Sequence, residues 1–592
     1  MKFWKTVLAV IVGVILTGII MLVLSVMFFS SLAASASSQP TLPKEGVLLM
    51  DMSSFAVAEQ ANAPDPMAML QGGSTTTVSL LDAVNALRIA AEDPTVQFLY
   101  LKPEGYTGGF AALEELRKAI TDFRAGGKAV VAWLDNPGTG SYYLASAADK
   151  VYMTAYEGGT TMFNGISTQL IFLKDLLDKL GVNVQLIRHG KYKSAGEMFI
   201  RNSSSPENME QNQEMIDSIW KTFAADIAAS RGISVETLNS LIDNLALYFP
   251  EDFLNAGLVD ELMSRSELEA KITALAVKES IKDVKTMSFP AYVSAKVQPN
   301  LKAREKIAVI YADGDIVDSG RGLVGKELAA TINKVREDES VKAVVFRVNS
   351  PGGSVLASEK IKAEIELLRA AKPVVASYGD YAASGGYWIS NSCDKIYSDA
   401  TTLTGSIGVF SMIPDFSKTL KDLAHVNITS VNSNRHGDLY GMMRPFDTAE
   451  AAYMQASVER IYEHFVNIVA EGRELTPDFV DTIAQGRVWT GADALGIGLV
   501  DEIGTLSDAL AYTAGLAGNP DLAAWRVEEF PKPKSTMDQL KDLLGGNNSA
   551  LAPFKDTPLE SVASAILDWE GSWNRKTSQY MYARIPYAVI PW

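Results

Sequence analysis

The chain has 592 residues, a net charge of −17, one cysteine and four histidines. Its Lys and Arg are scattered, which excludes the basic face of a nucleic-acid binder. Cys393 stands alone, and His189, His425, His436 and His464 show no metal-ligand spacing, so neither a disulfide, a zinc site nor any other cofactor is expected.

Residues 7–29 form an uncharged apolar run. As a helix it would span about 35 Å, enough for a bilayer. Lys2 and Lys5 precede it and no charge follows until Lys44. The positive-inside bias then keeps the N-terminus in the cytoplasm and places the rest outside the bacterial cytoplasmic membrane. Ala33-Ala34-Ser35-Ala36 has the look of a signal-peptidase site, but the apolar run exceeds a usual signal-peptide core, so an uncleaved single-pass anchor is expected.

Beyond the anchor the chain repeats itself. Glu92-Asp93-Pro94-Thr95-Val96 returns as Glu337-Asp338-Glu339-Ser340-Val341, and Lys128-Ala129-Val130-Val131-Ala132 as Lys372-Pro373-Val374-Val375-Ala376. Asp149-Lys150-Val151-Tyr152 returns as Asp394-Lys395-Ile396-Tyr397, and Gly257-Leu258-Val259-Asp260-Glu261 as Gly498-Leu499-Val500-Asp501-Glu502. The offsets are 245, 244, 245 and 241 residues, so order is kept with small length changes. Short apolar strands alternate with amphipathic helices such as 111–124 and 358–371, the pattern of βαβ units. The expected layout is a cytoplasmic N-terminus and anchor (1–30), a linker (31–43), two α/β repeats (44–290 and 305–530) joined by 291–304, and a C-terminal tail (531–592).

The second copy carries Tyr381-Ala382-Ala383-Ser384-Gly385-Gly386-Tyr387-Trp388 after an apolar strand at 373–377. A serine hydroxyl becomes a nucleophile only with a base, oxyanion donors and open approach. Gly385 offers an unobstructed N–H at a helix start. Asn349-Ser350-Pro351-Gly352-Gly353-Ser354 follows another buried strand, and such a turn can aim its N–H groups at an anion. The first copy has Thr139 opposite Ser384, and Glu104 in the turn where the second has Pro-Gly-Gly. The asymmetry reverses for a base. The first copy reads Lys191-Tyr192-Lys193-Ser194-Ala195, whereas the second, aligned through Asn427, puts Gly437 near the position of Lys193. Complementary losses point to one composite site across both copies. Lys191 is the rival base, and a Ser/His/Asp arrangement through His436 or His425 is the other acyl-transfer option.

Together with Leu403-Thr404-Gly405-Ser406-Ile407-Gly408, these segments resemble the signal peptide peptidase A (protease IV) family in its long, duplicated bacterial form. The resemblance implies a Clp-protease/crotonase-like α/β fold in both repeats and a homotetrameric bowl on the membrane. It implies Ser384 as nucleophile, Lys193 as general base, Ser406 as the residue orienting the lysine, and Gly353 and Gly385 as oxyanion donors. The implied substrates are cleaved signal peptides and other apolar peptides. Two alternatives stay open: a crotonase-like acyl-transfer enzyme and a non-catalytic membrane scaffold.

Overall fold

The structure is a computed structural model that describes residues 40–61, 76–158, 161–320, 322–533 and 582–584. The apolar run at 7–29 lies outside them. Among the described residues no helix is long and apolar enough to cross a membrane.

Two parallel sheets carry the repeat into three dimensions. In the first, neighbouring strands run Glu261–Met263, Lys150–Thr154, Val130–Leu134, Val96–Lys102, Gly46–Asp51 and Thr286–Ser288. In the second the same order recurs as Glu502–Ile503, Lys395–Ser398, Val374–Ala383, Val341–Ser350, Lys306–Asp313 and Arg526–Phe530. Helices cover both faces, which is why these strands read as continuous apolar runs; Val344, Val345 and Phe346 are fully buried. The expected helices are observed as Phe110–Ala125 and Val355–Ala371. The strand expected at 373–377 continues to Ala383, because Tyr381–Ala383 pairs with the added strand Leu403–Gly405. The link between copies is shorter than 291–304: helix Phe289–Lys296 buries Phe289 and Tyr292 in the first core.

A third sheet joins the copies. Strand Asn183–Arg188 of the first half pairs antiparallel with Phe410–Asp415 of the second, Arg188 opposite Phe410. The tail returns to this sheet as strand Tyr582–Arg584, whose backbone runs antiparallel to Gly352–Ser354 and also bridges to Phe410.

The N-terminal turns of helix Phe110–Ala125 lock into the second half. Ala111 N–H donates to Asp380 Oδ1 at 2.9 Å, and Gly109 is required beside it because a Cβ there would lie 2.1 Å from that carboxylate. Glu114 accepts from the backbone N–H groups of Ala400 and Thr401. Glu115 accepts from Leu506 N–H and pairs with Arg347 at 2.8 Å. Arg347, fully buried, also makes a two-pronged contact with Glu59, at 2.8 and 2.9 Å.

So many carboxylates on one guanidinium leave some short of compensation. Burial first, and the charge of Glu59 second, push Asp380 up to about 6. The folded chain therefore holds a proton between about pH 4 and 6 that the unfolded chain releases, and stability falls as pH rises through that window. Asp380→Asn keeps the acceptor for Ala111 and removes the charge. In urea titrations the variant should match the native protein at pH 4 and exceed it by roughly 2–3 kcal/mol at pH 7.

Candidate active site

Strand Val374–Ala383 delivers the chain to Ser384, which takes φ +56°, ψ −112°, a conformation non-glycine residues rarely adopt. The turn is held from both sides: Ser384 N–H donates to Gly405 O at 2.8 Å, and Trp388 N–H donates to Ser384 O at 2.8 Å. The short helix Gly385–Trp388 follows. A Cβ on Gly386 would lie 2.5 Å from Ser350 O, so the Ser384 turn and the Pro-Gly-Gly turn pack directly on each other. Within that second turn Gly352 N–H donates to Ser350 Oγ, and a Cβ on Gly353 would meet Ile316 O at 2.0 Å.

Register places Ser406 next to Ser384. Ala383 pairs with Gly405 in parallel strands, so the next residue of each chain leaves the sheet side by side. Ser406 also has a left-handed φ, +48°, and its N–H donates to Arg487 O at 2.7 Å.

Lys193 comes from the other half. Its strand ends at Arg188 opposite Phe410, only four residues beyond Ser406, and the chain then turns through Gly190. The lysine stem lies where two glycines have no side chain: a Cβ on Gly486 would be 2.5 Å from Lys193 Cβ, and one on Gly408 would be 3.2 Å from Lys193 Cδ. Lys193 is 1% exposed. Its Nζ is 2.8 Å from Ser384 Oγ, 3.0 Å from Ser406 Oγ and 3.0 Å from Ser406 O.

Burial drives the Lys193 amine well below the usual lysine range. A neutral amine carries two N–H groups and one lone pair. Two donations to Ser406 leave the lone pair to accept the Ser384 hydroxyl proton.

The rival groups stand elsewhere. Lys191 is exposed, its Nζ 4.9 Å above the Tyr192 ring. His436 Nδ1 lies 2.9 Å from Glu450, and His425 is exposed. His436, Asp447 and Glu450 converge closely enough to suit a metal ion, but Arg444 already donates to both Glu450 oxygens with its own positive charge. Thr139, opposite Ser384 in the first copy, donates to Gly165 O.

Sequence reading missed the segment Gln485-Gly486-Arg487. Gln485 O accepts from Tyr192 N–H, Gly486 O lies 3.3 Å from Ser406 Oγ, and Arg487 O accepts from Ser406 N–H. A glycine between apolar stretches signalled a turn, but not that Lys193 would lie against it.

The family model for peptidase family S49 matches twice, over residues 122–278 and 366–518. The chain belongs to peptidase family S49. It is a serine peptidase with two copies of the family domain. Protease 4 of Salmonella typhi is 36% identical over 545 residues, covering 88% of this chain and 87% of that one. Protease 4 of Haemophilus influenzae is 33% identical, covering 86% and 85%. The chloroplastic serine protease SPPA of Arabidopsis thaliana is 31% identical, covering 81% and 72%. A solved ClpP1 mutant from Listeria monocytogenes aligns over 34% of this chain and 93% of its own at 14% identity, with a TM-score of 0.24, too low to establish a shared fold.

A buried lysine must shed its proton on folding wherever the unfolded chain would hold it, so the S49 peptidase forfeits stability at neutral pH that it regains toward pH 10.5. Lys193→Met should be more stable than the native protein at pH 7 in urea titrations. That advantage should shrink by up to about 1.4 kcal/mol per pH unit as pH rises.

Proposed function

We propose that this S49 peptidase is a membrane-anchored endopeptidase with a Ser/Lys dyad that degrades cleaved signal peptides and other apolar segments at the outer face of the bacterial cytoplasmic membrane. The carrying observation is the 2.8 Å approach of Lys193 Nζ to Ser384 Oγ in a site shut off from water.

In this reading neutral Lys193 takes the Ser384 proton as Oγ attacks the scissile carbonyl. The N–H groups of Gly353 and Gly385 receive the developing oxyanion. The lysine then protonates the leaving amine, and a water activated by the same amine releases the acyl group. Ser406 holds the amine through hydroxyl and carbonyl, which fixes its lone pair toward Ser384. Each repeat is a Clp-protease/crotonase-like unit, 44–290 supplying the base and 305–530 the nucleophile. The assembly is a homotetramer.

The substrate lies as a strand. The backbone of Tyr582–Arg584 already runs antiparallel to Gly352–Ser354, the segment that contains the proposed oxyanion donor Gly353. An extended peptide laid along the same edge gains main-chain hydrogen bonds and brings a carbonyl toward Ser384. The support for an anchor is the apolar run at 7–29 with its flanking lysines. That run would set the site near the bilayer, where liberated signal peptides remain.

Cleavage of a synthetic signal peptide in lipid vesicles tests the proposal. Ser384→Ala and Lys193→Ala should each lower kcat by roughly 10³-fold or more, while Thr139→Ala stays within about twofold. A Thr139→Ala enzyme as inactive as Ser384→Ala would overturn the composite site. Because residues 582–584 occupy the peptide edge, deleting 534–592 should lower KM for an unanchored peptide several-fold with kcat unchanged, measured by initial rates.

A further inference from the structure

Among the described residues Lys193 has no ion pair of its own, yet its neighbour Tyr192 is gripped by one of the more elaborate contacts between the two halves. The Arg487 guanidinium lies between two rings, 4.7 Å from the centroid of Tyr192 and 4.4 Å from that of Trp489. Its Nη1 donates to Tyr192 Oη at 3.2 Å and its Nη2 to Glu214, with Glu210 3.6 Å from Nη1. Tyr192 Oη in turn donates to Glu210 at 3.0 Å. Both glutamates stand on helix Pro206–Arg231 of the first half. Between them Gln211 Nε2 donates to Tyr192 O and Ser194 Oγ, while its Oε1 accepts from Val488 N–H. On the far side, Arg188 donates to Lys193 O and pairs with Glu197.

Arg487 therefore joins three things that must be aligned: the tyrosine preceding the lysine, the helix behind it, and, through its own carbonyl, the Ser406 backbone N–H. We propose that Arg487 is the positioning residue of the dyad, clamping Tyr192 so that the Lys193 amine is held dry and in line with Ser384. This rests on the reading of Lys193 as the base. A planar guanidinium stacked between two rings also resists sliding in a way a lysine ammonium does not. Misplacing a reacting group by about 1 Å costs on the order of 10²-fold in rate.

The test is the pH dependence of kcat/KM for a soluble peptide, read in native enzyme, Arg487→Met and Arg487→Lys. Loosening the Tyr192–Lys193 segment admits water to the amine. Its protonated form is then favoured, and the acid limb of the profile moves to higher pH. Arg487→Met should lose roughly 10- to 100-fold in kcat with KM within about twofold, and its acid limb should shift up by about one pH unit. Arg487→Lys should fall between. A fall in kcat with the acid limb unmoved would reduce Arg487 to a structural role and overturn the proposal, as would an unchanged kcat. If Arg487→Met does not fold, Glu214→Gln, which removes the carboxylate holding Nη2, must move the limb in the same direction; an unmoved limb there overturns it equally. Lys193→Ala separates the two ideas. Retained activity in that variant removes the base itself, whereas its loss together with an unmoved limb in the Arg487 variants removes only the clamp.

Discussion

A lysine amine buried with no counter-ion among the described residues is the constraint on which the arrangement depends. Water favours an ammonium over an amine, and Lys193 loses that preference only because it is enclosed on every side. Neither half can enclose it alone. The first half provides the strand and turn that carry it; the second provides Gly408, Gly486 and the two serines. The pairing of Asn183–Arg188 with Phe410–Asp415 is therefore part of the chemistry as well as of the fold, because separating the strands would rehydrate the amine and return its proton.

The molecule buries a second cation at the same junction, to the opposite effect. Arg347 is as deeply enclosed as Lys193, and burial again disfavours its charge, but Glu59 and Glu115 outweigh that and hold it well above its ordinary range. The surrounding acids bear the consequence: Asp399 is pushed well above the carboxylate range by burial and by its acidic neighbours Glu115 and Glu114. Replacing one partner of such a group leaves an uncompensated charge, so the cluster fixes how the halves meet even where it adds little net stability. One cation, supplied with carboxylates, registers the copies. The other, without carboxylates among the described residues, is held well below the usual lysine range and faces Ser384.

Much of this was written in the sequence because duplication left two versions to compare. The equivalence of the two α/β copies follows from four ordered blocks, and the positions of Ser384 and the Pro-Gly-Gly turn follow from what the second copy kept. The lysine was harder. Alignment through Asn427 set Lys193 against Gly437, yet the segment around Gly437 is largely exposed, and the first half's strand is completed by Phe410–Asp415 instead. Antiparallel pairing between distant segments has no local signature, because each strand's own pattern records only that one face is buried. The same limit hid Gly486, whose missing side chain matters only once Lys193 lies against it. The sequence marks 531–592 only as a C-terminal tail, and the strand at 582–584 is visible only as backbone pairing with Gly352–Ser354.

The first copy shows what became of the equipment it did not keep. In the turn that corresponds to Pro-Gly-Gly, Glu104 Oε1 accepts the N–H groups of Asp135 and Asn136 at 2.8 and 2.5 Å. Backbone donors near its own strand end are thus answered by a side chain, and Thr139 spends its hydroxyl on Gly165 O. Glu104 thus satisfies two backbone donors, and Thr139 a backbone acceptor, that would otherwise be left wanting partners. The same helix that follows this turn, Phe110–Ala125, inserts Glu114 and Glu115 into the second half. Reopening a second site in the first copy would require more than Thr139→Ser: the carboxylate would have to leave, a base would have to be found, and the helix that registers the halves would have to stay in place.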